Sequence, residues 1–148
     1  SVYAALAEGC AELVGQRPDR KQISRLARMG SASAARSVWG GFSIFRAGSE
    51  HADPMLPADH WPELRLLVAI TARGRKPVYS RDAMLHVAET SPYYKSWVVV
   101  AEENFRKAIQ SVRERNLQLL GCQMRTSYMR MFGTLFAADP PINYFKPQ

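Results

Sequence analysis

Two long stretches of helical periodicity fill the second half of the chain, and they constrain its fold more than any other feature. Ser91-Pro92 caps the longer one, with Pro at the first helical position and Val98, Phe105, Ile109 and Val112 on one face. Its opposite face is charged. The next runs from about Leu117 to Phe136, carries Leu120, Met124, Tyr128, Met131 and Leu135, and is stopped before Pro140-Pro141. A shorter helix starts at Ser80 and bears Met84, Val87 and Ala88. In the first half, Val2, Leu6, Cys10, Leu13 and Val14 mark an N-terminal helix that Gly15 stops. Asp19 caps another that runs to Met29, with Ile23, Leu26 and Ala27 on its apolar side.

Strand signals are few by comparison. Val38 to Phe45 is strand-like, and Leu64 to Thr71 is short, apolar and bounded by turn residues, as a buried strand would be. Ala47 to Pro62 contains Gly48, Pro54, Pro57 and Pro62 and reads as a loop, and Gly74 and Pro77 break the chain again. Several helices against two or three strands predict an α+β fold whose sheet is incomplete within this sequence.

The 148 residues suit one domain with a sizeable core, and 47% hydrophobic with 22% charged residues is a globular composition. No apolar run approaches the ~18 residues of a membrane span, and no segment reads as a secretion signal, so a cytoplasmic protein without a membrane partner is expected. Two cysteines, neither in a Cys-x-x-Cys pair, point to a reducing compartment and no structural metal. The net charge of +7 favours an anionic partner. Its basic residues are spread out, and the densest group, Arg17 to Arg28, falls on the solvated face of a helix. Charge alone does not choose among nucleic acid, an anionic membrane and a phosphorylated small molecule, but the scattered basic residues lack the stripe of a nucleic-acid binder, so no nucleic acid is expected.

Most catalytic constellations are missing from the sequence. His51, His60 and His86 match no metal-ligand spacing, the carboxylates fall on solvated helix faces, and Cys122 reads as a buried thiol. The exception is Gly30-Ser31-Ala32-Ser33-Ala34-Ala35-Arg36-Ser37. Tiny side chains permit close backbone approach, hydroxyls donate hydrogen bonds, and an arginine supplies a planar fork, a combination suited to a phosphate or diphosphate. The competing explanation is structural: Ala and Ser let a helix pack tightly on a sheet, and Ser31 or Ser33 caps it.

The stretch from Ser24 to Phe42, read as Arg28-Met29-Gly30-Ser31-Ala32-Ser33-Ala34-Ala35-Arg36-Ser37 followed by Trp39-Gly40-Gly41-Phe42, resembles the signature of the mevalonate diphosphate decarboxylases. Three further blocks resemble that family in the same order: His60-Trp61-Pro62-Glu63-Leu64-Arg65, Ser80-Arg81-Asp82-Ala83-Met84 leading to Glu89-Thr90-Ser91-Pro92, and Pro140-Pro141-Ile142-Asn143-Tyr144. The resemblance implies a GHMP-kinase-like α+β fold with a small, partly incomplete antiparallel sheet packed with several helices. Residues 1–148 would be a single domain or an interior segment, spanning the end of the N-terminal domain and much of the C-terminal domain.

The same resemblance implies ATP-dependent decarboxylation of mevalonate 5-diphosphate to isopentenyl diphosphate, with ATP and Mg2+ required and a homodimer, or the remainder of the same polypeptide, as partner. Arg36 is then the catalytic-site arginine holding the substrate's acid end, Ser31 and Ser33 bind its phosphates, and Ser80, Arg81 and Met84 line the substrate loop. The sequence departs from the family at Ala32, Ala35 and Ala83, where Gly, Cys and Gly are usual, and at Met129-Arg130-Met131-Phe132, where an Asn-Gln-x-His stretch is common. The family's Ser-rich ATP loop and its Asp-Ala-Gly-Pro-Asn block are not found. Two other classes are left by these departures: a non-catalytic binding or assembly subunit, and a related mevalonate kinase without decarboxylation.

Overall fold

The computed structural model describes residues 1–70 and 78–145, and it divides into two compact units, Ser1–Leu66 and Leu67–Gln148. Among the described residues of the first are three helices, α1 (Val2–Leu13), α2 (Arg20–Arg28) and α3 (Ala32–Ser37), followed by strands β1 (Phe42–Ile44) and β2 (Asp53–Leu56) and a 3-10 turn at Ala58–His60. The second holds α4 (Ser80–Thr90), α5 (Tyr94–Arg113) and α6 (Leu117–Phe136). The α+β class and the small antiparallel sheet are present as expected.

Local chemistry explains where the first helices begin and end. Asp19 accepts a hydrogen bond from the Gln22 amide at 2.8 Å, and the Gln22 side chain accepts one from the Asp19 amide at 2.8 Å. This reciprocal pair satisfies two amides that would otherwise lack partners at the start of α2. Alanines carry the packing that follows: Ala4, Ala27 and Ala34 form one buried cluster joining α1, α2 and α3. Methyl-sized side chains allow the three backbones to come close. The apolar face expected on α1 is corrected here, because Ala4 and Ala11 are its buried residues while Val2, Leu6, Leu13 and Val14 are exposed.

Three strand-level expectations also change. Val38 to Phe45 keeps only Phe42–Ile44 as strand. Asp53–Leu56, inside the expected loop, pairs with it antiparallel, Ser43 opposite Pro54 and Ile44 opposite Asp53. Proline lacks an amide hydrogen, and a two-stranded sheet tolerates it because each strand has one unpaired edge. Leu64 to Ile70 is not a buried strand: Leu66, Val68 and Ile70 are exposed, and Leu67 is 95% exposed. Among the described residues no strand lies beside this segment to pair with it, so its apolar composition has nothing to bury against. Thr71, Gly74 and Pro77 lie outside the described residues.

In the second unit Ala83, Val87, Leu135 and Ala138 form the core, with Val78, Tyr94, Met131, Phe132, Ile142 and Tyr144 packed around it. The α5–α6 seam is more polar than the periodicity implied. Asn104, Ser111, Gln123 and Thr134 are buried there, whereas Val98, Met124 and Tyr128 are exposed. Cys122 is exposed as well, since the buried position beside it belongs to Gln123. Arg115 holds the turn between α5 and α6 at φ 53°, and Asn116 caps α6 by accepting the Leu119 amide at 2.9 Å.

Candidate functional site

Gly30 closes α2 and opens the loop that carries the first group of candidate residues. A Cβ at Gly30 would stand 2.3 Å from the ring of Tyr3, so only glycine lets α1 lie against this turn. Ser31 follows with extended backbone, and its Oγ accepts a hydrogen bond from the Ala34 amide at 3.1 Å, capping α3. The Ser31 and Ser33 hydroxyls lie 3.0 Å apart and share a hydrogen bond.

The two explanations offered for the small-residue run turn out to describe two faces of α3. Ala34 and Ala35 are fully buried, as a packing role demands, but they pack toward helices α1 and α2. Ser33 and Arg36 are three residues apart on the opposite, solvent-exposed face. Arg36 forms no ion pair among the described residues, so its guanidinium is available to an external anion. Its carbonyl accepts hydrogen bonds from the Trp39 amide at 3.1 Å and from Ser43 Oγ at 3.2 Å, which fixes the backbone beneath the side chain.

Downstream of the loop, Gly41 has φ 71°, and a Cβ there would lie 2.5 Å from the Leu56 carbonyl oxygen. The turn into β1 therefore needs glycine for both its conformation and its closeness to β2. Trp39 Nε1 donates to the Ala52 carbonyl at 2.8 Å, securing the connection from α3 to the sheet.

The second group of candidates sits in the other unit, on α4. Ser80 is the first residue of that helix and Met84 is one turn on, so both fall on one side of it; Arg81 is exposed. The helix is anchored by residues that sequence reasoning passed over. His86 Nε2 lies 2.9 Å from the Pro140 carbonyl, Thr90 Oγ1 accepts the Asp139 amide at 3.2 Å, and the Tyr144 hydroxyl donates to the Val78 carbonyl at 3.2 Å. His86 thereby joins α4 to the Pro140–Tyr144 block. Val78, Asp82, His86 and Ile142 line an open cleft of about 460 Å3 between them.

Ser24 is the other residue that sequence reasoning missed. It is fully buried, and it occupies the same side of α2 as Ile23 and Ala27. A lone hydroxyl on an apolar helix face was the available signal.

A helix-rich α+β chain with a two-stranded antiparallel sheet and a serine-arginine loop on a short exposed helix belongs to the GHMP-kinase-like class. Solved structures share it: a complex of MDDEF with MVAPP, AMPPCP and magnesium is 35% identical with a TM-score of 0.84, covering 99% of this chain and 46% of that one. The mevalonate diphosphate decarboxylase from Enterococcus faecalis, in work on mevalonate diphosphate-mediated ATP binding, is 32% identical with a TM-score of 0.82, covering 99% and 45%. Residues 1–56 match the diphosphomevalonate decarboxylase-like N-terminal domain. The Bos taurus diphosphomevalonate decarboxylase is 33% identical over 96% of this chain. Over nearly all of its length the chain is thus similar to diphosphomevalonate decarboxylases, and it spans 36% of the length of that bovine relative.

Proposed function

We propose that this chain supplies the substrate-holding side of an ATP-dependent diphosphomevalonate decarboxylase, spanning the end of the enzyme's N-terminal domain and much of its C-terminal domain. The observation that carries this reading is the exposed face of α3, where the Ser31 and Ser33 hydroxyls meet at 3.0 Å and Arg36 stands on the same side without an ionic partner among the described residues.

In such an enzyme ATP phosphorylates the tertiary 3-hydroxyl of mevalonate 5-diphosphate, and loss of that phosphate with CO2 leaves isopentenyl diphosphate. The residues of this chain address the acid groups of that substrate. Arg36 holds the substrate's carboxylate and diphosphate end through its planar fork of N–H donors, a geometry that keeps the departing carboxylate aligned. Ser31 and Ser33 donate to phosphate oxygens, and the exposed Ala32 between them is small enough to let a ligand approach the backbone. Ser80, Arg81 and Met84 form a second substrate-facing group at the start of α4. Hydroxyls and guanidinium are donors, so they fit the substrate's anionic groups, whereas Mg2+ needs oxygen ligands that these side chains do not concentrate. Mg2+, bound with ATP, supplies charge neutralisation for phosphoryl transfer.

The test is steady-state kinetics on the full-length gene product with mevalonate 5-diphosphate and ATP. Arg36→Lys keeps the charge and loses the planar fork, so turnover should fall by about 100-fold, equivalent to ~2.7 kcal/mol, with the melting temperature nearly unchanged. Unchanged turnover would remove Arg36 from the site.

A further inference from the structure

We infer that Ser24, although it faces no ligand, is a positioning residue that sets the direction of Arg36. The inference rests on the role proposed for Arg36 and concerns what holds that side chain in place. Ser24 Oγ donates to the Ala35 carbonyl at 2.9 Å and accepts the Ala52 amide at 2.9 Å. One buried hydroxyl thus joins α2 to the residue preceding Arg36 and to the segment that enters β2. The far side of Ala52 is held too, because its carbonyl receives Trp39 Nε1 at 2.8 Å. Trp39 lies just beyond α3, so the short helix is tied to the buried residue Ala52 at two points, through Ser24 and through Trp39.

Two features separate this from an ordinary satisfied serine. A helical hydroxyl usually bonds back to a carbonyl of its own helix, as Ser111 does to Ala108 at 2.7 Å and Thr134 does to Met131 at 2.6 Å. Ser24 forgoes that bond and spends both of its own on residues 11 and 28 positions away. Furthermore, α3 has only six residues, too few to be stable alone, so tertiary bonds set its orientation. Successive carbonyls, Ala35 and Arg36, receive hydroxyls from α2 and β1, Ser24 on the first and Ser43 on the second. Small rotations of this backbone move the guanidinium by ångströms.

A double-mutant cycle on the full-length gene product tests the assignment, with kcat and KM for mevalonate 5-diphosphate and thermal melts for each variant. Ser24→Ala should lower kcat/KM by about 10- to 100-fold in the presence of Arg36, and by less than about 3-fold in the Arg36→Lys background, because misaiming matters only while the fork exists. Trp39→Phe removes the other tie to Ala52 and should show the same coupling more weakly, which keeps the test alive if Ser24→Ala does not fold. Equal losses in both backgrounds, with Arg36→Lys itself damaging, would overturn the positioning role and leave the substrate reading standing. A neutral Arg36→Lys would overturn both.

Discussion

The α2–α3 corner of the first unit and the α5–α6 seam of the second bury polar side chains in opposite ways. Around α3, Ser24 and Trp39 reach across the fold, so their hydrogen bonds connect segments distant in sequence. Along the α5–α6 seam, Ser111 and Thr134 turn back onto their own helices, while Asn104 crosses, donating to the Gln123 carbonyl at 3.1 Å. Bonds of the second kind satisfy a hydroxyl without choosing an orientation for the neighbouring element. Those of the first kind fix geometry, which is what a site for a multiply charged substrate needs.

The sharpest way to break this contrast is at Gly30. Gly30→Ala places a methyl group inside the Tyr3 ring, so either α1 shifts or the α2–α3 turn opens. The expected cost is about 1–3 kcal/mol of stability, accompanied by a rise in KM, because the displaced backbone carries Ser31 and Ser33. Denaturant unfolding together with kinetics on the full-length gene product measures both, and Tyr3→Ala in the same chain should restore KM. A Gly30→Ala protein with unchanged stability would show that the loop is not held between α1 and α2.

Much of this arrangement is legible in the sequence, but not evenly. Helix ends written in capping chemistry are read well at Asp19, Gly15 and the Leu117–Phe136 span, but not at Ser91-Pro92, where α5 begins only at Tyr94 and the Ser91 hydroxyl caps nothing. Helix faces are read poorly where small or polar residues do the packing. Ala4 and Ala11 outrank Leu6 and Leu13 on α1 because the contact is between close backbones, and hydropathy alone favours the larger side chains. Leu64 to Ile70 fails for another reason, since a strand is stabilised by neighbours and periodicity does not show whether they are there. In the candidate site, the small-residue run that carries Ser31, Ser33 and Arg36 stands out in composition, and their proposed roles come from the resemblance. Ser24 and Trp39 do not stand out, because their role depends on partners 11 to 28 residues away.

A milder perturbation sharpens the comparison from the other unit. Ser111 is fully buried, yet its hydroxyl serves only the Ala108 carbonyl of its own helix. Ser111→Ala should therefore change stability by less than about 1 kcal/mol and leave kcat and KM at their original values, since the better helix propensity of alanine offsets the lost bond. A loss as large as that expected for Ser24→Ala would mean that distance in sequence is not what distinguishes the two kinds of buried hydroxyl.

The smallest effect expected lies on the exposed side of α5, where orientation is specified by charge alone. Lys107 Nζ stands 2.6 Å from Glu103 Oε1, one turn apart. The Glu103 carboxyl is held below its ordinary value, chiefly by the hydrogen bond from Lys107 and then by that ammonium's charge, with smaller contributions from Arg130 and Arg106. A carboxyl lowered in the folded state stabilises the fold above its unfolded-state value, near ~4.3, and that contribution disappears as the pH falls through the depressed folded value. Because both side chains are exposed, the pair contributes little to stability and weakens as salt is added. An NMR pH titration should place the Glu103 carboxyl lower in the unmodified protein than in Lys107→Met, with the gap narrowing as salt is added. Equal titration midpoints in the two proteins at low salt would show that the ion pair does not persist in solution, and that this face of α5 is ordered by helix propensity alone.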